Sequence, residues 1–176
     1  MKKAILFIAF CFLIYDTTSH NKPINKITVE RDLFNEAVEL IIQKEGWHDD
    51  SHYPYIGYGH RITKKDSFRY PISKKFARKL VESDLKAKCS VFRSFGKDSL
   101  LLGVLAYNVG ETSVNSSSII KKLDRNNRNI KKEYLSFCYI GNRKVKSILE
   151  RRKTEYELLF NKTKTVTLNG KYKNWR

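Results

Sequence analysis

Glu45 is the residue whose type and setting are best suited to chemistry. Val29 to Lys44 reads as an amphipathic helix, Glu45-Gly46 follows it, and Tyr55-Ile56-Gly57-Tyr58-Gly59-His60 comes next as a glycine-bent aromatic segment. A carboxyl group at that junction would be half buried against aromatic rings, and burial favours the uncharged form. A carboxyl that keeps its proton near neutral pH is a general acid. Cleavage of a glycosidic bond needs such an acid to protonate the leaving oxygen. The rival reading is a helix-end surface carboxylate, the usual setting of glutamate. Asp49 and Asp50 read first as turn residues. His48, His52 and His60 match no standard metal spacing, so neither a metal nor a cofactor is expected.

The elements that must position Glu45 are helical, with one small β element. Trp47 to Thr63, with its glycines, Pro54 and alternating tyrosines, indicates a short hairpin. Ser73 is an expected N-cap for a second amphipathic helix, through Phe76, Ala77, Leu80, Val81, Leu85, Cys89 and Phe92. Gly96 ends that stretch, and Asp98 is the next expected cap. Leu100 to Ala106 is apolar on every side, which marks the central core helix. It stops at Asn108-Val109-Gly110. Ser116 to Leu123 and Ile130 to Phe137 read as shorter helices around a polar Asp124 to Asn129 turn. Ser147-Ile148-Leu149-Glu150 has the form of a capping box opening a last helix through Phe160. The tail, 162–176, has a possible hairpin turn at Asn169-Gly170.

The chain of 176 residues suits one domain with a real core. Its 35 lysines and arginines against 18 acidic residues give a net charge of +17. Such an excess implies a polyanionic partner: a cell wall, an anionic envelope surface or nucleic acid. The N-terminus favours the first two. Met1-Lys2-Lys3 followed by an unbroken apolar and aromatic run from Ala4 to Tyr15 has the layout of a secretory signal peptide over 1–20. A retained anchor is the alternative, although the run is short for a membrane span. Export argues against a nucleic-acid role. A polar leader, 21–28, then precedes the folded region, 29–161, which is expected to be a monomer. Outside the signal stand Cys89 and Cys138. An even pair in an exported chain suggests a disulfide, which would stabilise the fold by roughly 3–5 kcal/mol in the chain-entropy picture. Two separate buried thiols are the alternative.

Lys44-Glu45-Gly46, Tyr55-Ile56-Gly57-Tyr58-Gly59-His60, Leu105-Ala106-Tyr107-Asn108-Val109-Gly110-Glu111 and Arg151-Arg152-Lys153-Thr154-Glu155-Tyr156 resemble, in that order, the phage-type lysozymes of glycoside hydrolase family 24 (endolysins). The resemblance implies an α+β, lysozyme-like fold: mostly helical, with a small β-hairpin lobe and a cleft between lobes. It implies peptidoglycan as the substrate, cut at the β-1,4 bond between N-acetylmuramic acid and N-acetylglucosamine. Glu45 matches the family's catalytic acid. The family places an aspartate or cysteine nine residues after that glutamate and a threonine six further on, but the ninth residue here is Pro54. Aligning on Ile56 to His60 puts Tyr55 at the threonine's place and Asp49 at the second carboxylate's, with Asp50 beside it. Asp49 would then orient the attacking water and Tyr55 would hold it. A mechanism with one glutamate, its water held by groups such as His60, also stands. His60, Tyr58, Asn108 and Gly110 are expected to meet the sugar. Three rivals remain open: a wall-binding relative without catalysis, a lytic transglycosylase, and a cationic membrane-disrupting protein.

Overall fold

The computed structural model describes residues 26–161; the signal segment, most of the leader and the Asn169-Gly170 turn lie outside them. Helix α1 spans Lys26–Glu45, so it begins three residues before the expected Val29 and ends at the glutamate. A polar turn leads to the hairpin strands β1 (Tyr55–Ile56) and β2 (His60–Arg61), which pair antiparallel with Ile56 opposite His60. Helix α2 spans Lys74–Val91, and its expected cap is real: the Ser73 hydroxyl oxygen accepts from the Phe76 amide at 3.1 Å. Then come α3 (Ser99–Val109), α4 (Glu111–Asn115), α5 (Ser118–Leu123) and α6 (Lys131–Ser136). A second hairpin, β3 (Tyr139–Ile140) with β4 (Arg143–Lys144), leads into α7 (Lys146–Tyr156), and a π-type turn at Glu157–Asn161 ends the described chain. These helices and small hairpins make the fold α+β and lysozyme-like, as expected.

The core forms around α3. Leu101 to Ala106 are all buried, as an apolar run on every face requires. Ala37, Val38 and Ile41 of α1, Val81 and Leu85 of α2, and Tyr156, Leu159 and Phe160 at the end of the described chain pack around it. Helices α2 and α3 approach closely at Gly103, where an added Cβ would lie 2.5 Å from Cys89 Sγ. That packing buries the Cys89 thiol and pushes its pKa up to about 11. Cys89 and Cys138 are separate free thiols, so the disulfide alternative is not the one formed.

Four local expectations change. Asp98 does not cap α3; its carboxylate takes a two-point bond from Arg128, Nε to Oδ2 at 2.9 Å and Nη2 to Oδ1 at 2.5 Å. A guanidinium fork outcompetes a single amide for a carboxylate. The Ser147–Glu150 box does not form, because α7 starts at Lys146 with no side-chain cap and Glu150 pairs instead with Lys153 at 2.8 Å. The expected Ser116–Leu123 helix forms as α5 but starts two residues later, at Ser118, and the short α4 before it was not expected. The β3–β4 hairpin was not expected; two-residue strands carry too little alternation to read.

Candidate active site

Glu45 is the last residue of α1, and its side chain is about one-fifth exposed. The Glu45 charge is among those that raise the Tyr107 phenol's pKa, after burial and the Asp84 carboxylate. Glu45 Oε1 accepts from Arg151 Nη2 at 2.7 Å, across 106 residues of sequence. On the other side lies Gly59, whose positive φ of 90° bends the β1–β2 turn back toward the helix end. An added Gly59 Cβ would lie 3.9 Å from Glu45 Oε2, so that carboxylate oxygen faces the turn backbone. Glu45 therefore has one oxygen fixed by a guanidinium and one turned to the hairpin.

Arg151 is itself held from behind. Its Nε donates to Glu155 Oε1 at 2.9 Å. Glu155 is fully buried, and its Oε2 also accepts from the Tyr134 hydroxyl at 2.9 Å and from Arg152 Nη1. Arg152, likewise fully buried, reaches Asn108 Oδ1 with Nη2 and the Phe137 carbonyl with Nε at 3.2 Å. Buried charges persist only when paired and hydrogen-bonded in this way. Burial opposes the Arg151 charge, but the Glu45 and Glu155 carboxylates more than offset it and raise its pKa. Burial and the Glu155 carboxylate keep the Tyr134 phenol protonated.

This network was missed in the sequence as a functional unit, although Arg151 and Glu155 stand at the i, i+4 spacing that brings side chains together on one helix face. Asn108 belongs to it, through Arg152. Gly110 is where α3 stops: φ is 84° and its amide donates to Ala106 O at 2.9 Å.

The hairpin residues fall into two sets. Tyr58 is on the Glu45 side, packed edge-on to Trp47 with ring centroids 5.3 Å apart, and its carbonyl accepts from the Tyr107 hydroxyl at 3.0 Å. His60 ties the hairpin to α2, its Nδ1 2.7 Å from Asp84 Oδ2. The bond from Asp84 raises the His60 pKa against the opposing effect of burial. Asp49 and Tyr55 line a different surface, a cavity of about 700 Å³ shared with Tyr53, Arg61, Lys64 and Tyr70, and not with Glu45. Asp49 Oδ1 accepts from the Ser51 amide at 3.1 Å and the Ser51 hydroxyl at 2.5 Å, and lies 2.7 Å from His52 Nδ1. The Ser51 hydroxyl and then His52 lower its pKa, so it is ionised near neutrality. Asp50 opens the short 3-10 turn, Asp50–His52, that Asp49 caps. Among the described residues, no group of three or more His, Cys, Asp or Glu side chains is gathered as a metal site needs.

A family model described as phage lysozyme matches residues 42–155, from the last turn of α1 to the Glu155 of the buried network. No individual curated protein matches the chain.

Proposed function

The chain belongs to the phage lysozyme family of peptidoglycan-degrading enzymes, and we propose that it is a muramidase that hydrolyses the β-1,4 bond between N-acetylmuramic acid and N-acetylglucosamine, with Glu45 as its general acid. The observation that carries this reading is the asymmetric setting of Glu45: Oε1 bound by Arg151 and Oε2 facing the Gly59 turn. A proton on Oε2 passes to the bridging oxygen as the bond from the sugar's anomeric carbon to that oxygen breaks. A water oxygen then bonds to the anomeric carbon and gives up its proton to a base. Arg151 stabilises the Glu45 carboxylate left by the first transfer, and a fixed cation needs no reorganisation to do so. Asp49, ionised and aligned in the sequence with the family's second carboxylate, is the candidate base for the water, and it would have to reach the Glu45 side from the cavity it lines with Tyr55. The contacts of Ser51 and His52 on its Oδ1, and its place away from the Glu45 side, favour a second reading, in which one glutamate serves and the water is held by polar groups.

The substrate's anionic character suits a net charge of +17, and the apolar N-terminal run supports export to reach it. No helix among the described residues is long and apolar enough to cross a membrane. The test is digestion of purified peptidoglycan by residues 21–176, with products read by mass spectrometry. Reducing muramic-acid ends from the parent, lost by roughly 10²–10⁴-fold in Glu45→Gln, are expected of a general acid. Anhydro-muramic ends would identify a transglycosylase instead, and folded, wall-binding protein that releases nothing would overturn the enzyme reading. Asp49→Asn separates the two mechanisms: a comparable loss requires the second carboxylate, and retained turnover leaves Glu45 alone.

A further inference from the structure

Three exposed tyrosines, Tyr53, Tyr55 and Tyr70, line one cavity of about 700 Å³ beside the first hairpin. That size suits a small ligand, since such pockets span roughly 300–1,000 Å³. Glu45 does not line it. The walls are fixed. Tyr55 pairs with Arg61 across the hairpin, so both stand on one face of it. Asp66 closes the turn that carries Lys64, its Oδ2 accepting from the Thr63 amide at 2.7 Å and the Thr63 hydroxyl at 2.9 Å. Phe68 packs against His60 and Phe76, with ring centroids 5.7 and 5.0 Å away, and so anchors the Arg69 and Tyr70 that follow it.

The lining charges balance formally, with Arg61, Lys64 and Arg69 against Asp49, Asp50 and Asp66. Their hydrogen-bonding capacity does not balance. Asp49 and Asp66 are engaged by their own turns. The side chains of Arg61, Lys64 and Arg69 make no ion pair or hydrogen bond among the described residues, and the Asp50 carboxylate accepts none. The surrounding field is positive, because the chain from Arg61 to Lys79 carries eight lysines and arginines and the single acid Asp66. Free guanidinium and ammonium groups suit a phosphate. Tyrosine offers an apolar face with a polar tip, which suits a sugar ring, and a free carboxylate accepts from sugar hydroxyls.

We propose that this cavity binds a phosphorylated sugar, with Arg61, Lys64 and Arg69 on the phosphate, Tyr53 and Tyr70 against the ring, and Asp50 accepting from its hydroxyls. Such sugars occur in the anionic polymers of bacterial envelopes. The site would therefore hold the protein on the envelope at a place separate from the bond it cuts. A membrane surface also presents phosphates, but it is flat and has no ring to fill a concave site.

Glucose 1-phosphate is the probe, because glucose is foreign to the muramidase substrate. Calorimetric titration of the protein should show it binding roughly tenfold or more tighter than glucose or inorganic phosphate alone, since its two halves are held together. Arg61→Gln/Arg69→Gln should weaken it roughly tenfold, the range for two exposed charge pairs. Tyr70→Ala should remove most of the advantage over inorganic phosphate. Lys121→Gln/Arg125→Gln, which removes the same charge from exposed positions around the end of α5, should leave binding unchanged. Equal losses in the two double variants would reduce the effect to net charge and overturn the proposal. So would inorganic phosphate that binds as tightly as the sugar phosphate. Phosphatidylglycerol vesicles held through Arg61 and Arg69, with no binding of glucose 1-phosphate, would assign the surface to lipid and overturn it too. Displacement of the probe by lipopolysaccharide core or by a glycosyl-phosphate wall polymer would support the site and tell which envelope supplies the sugar, whereas displacement by neither would overturn it. None of these measurements uses turnover, so their failure leaves the muramidase reading standing.

Discussion

Glu45 and Asp49 lie one helical turn apart in sequence and are held by opposite means. The partner of Glu45 comes from 106 residues away and is backed by a buried carboxylate, a second guanidinium group and a phenol. The partners of Asp49 are Ser51 and His52, within three residues of it and exposed. The first arrangement exists only in the folded molecule, so breaking it should disturb the whole structure. The second closes inside one turn, and breaking it should stay local. A carboxyl group placed by long-range pairing is fixed in position. One placed by its own turn moves with that turn.

The largest expected effect follows from the buried side. Glu155→Ala leaves Arg151 and Arg152 facing each other without their shared anion, and removing one partner of a buried pair typically costs about 3–5 kcal/mol. Urea unfolding should show a loss of that size, together with reduced lytic activity as Arg151 loses its hold on Glu45. A loss below about 1 kcal/mol would mean that the network does not organise the site. Next is Gly57→Ala, in the turn of the first hairpin. Gly57 has φ 64°, and its new Cβ would lie 2.7 Å from Ala77 Cβ. Strain and overpacking together should cost about 1–3 kcal/mol in the same measurement. A smaller cost would show that the hairpin shifts freely on α2, and would bring it closer to the local behaviour of Asp49.

His60 joins the two regimes, because it sits on the hairpin and is bonded to Asp84 of α2. Its pKa is raised by that bond above the ordinary 6.5. A folded-state pKa above the unfolded one gives stability that is complete below about pH 6.5 and is lost as pH rises through the folded value. Unfolding midpoints measured from pH 5 to 9 should therefore fall across that window. The slope attributable to His60 should be reduced in Asp84→Asn, where Asp66, 3.5 Å from His60 Nε2, is the carboxylate that still raises its pKa. An unchanged slope in that variant would place the titration elsewhere.

The same division governs what the sequence discloses. The end of α1 at Glu45, the Ser73 cap and the apolar Leu101–Ala106 run are written in short stretches, by periodicity and by a hydroxyl three residues from an amide. The Asp98 and Ser147 caps look as good on paper. In the structure Arg128, 30 residues away, takes Asp98, and Lys153 takes Glu150, so the local signals lose to stronger partners. The motif from Arg151 to Tyr156 was visible as part of a family resemblance, but its role was not, because nothing nearby shows that Arg151 meets Glu45. Two tyrosines illustrate the limit. Tyr55 and Tyr58 stand in one motif, yet Tyr58 packs on Trp47 beside the Glu45 turn while Tyr55 lines the groove with Asp49.

The smallest expected effect belongs to Asp49. Its turn is exposed and its bonds are short-range, so Asp49→Ala should leave the thermal midpoint within measurement error. The informative quantity is its titration. The Ser51 hydroxyl is the main cause of its lowered pKa, with His52 second. In a carboxyl-resolved NMR titration, Asp49 should lose its charge below the ordinary 3.8. Ser51→Ala should move that midpoint up toward the ordinary value. A group held this way contributes stability above the unfolded pKa and loses it as pH falls through the folded one. If Ser51→Ala leaves the titration unmoved, or Asp49→Ala lowers the midpoint as Glu155→Ala does, then Asp49 has a partner beyond its turn. The contrast between the two carboxyl groups would then fail, and Asp49 would have to be counted with the buried side.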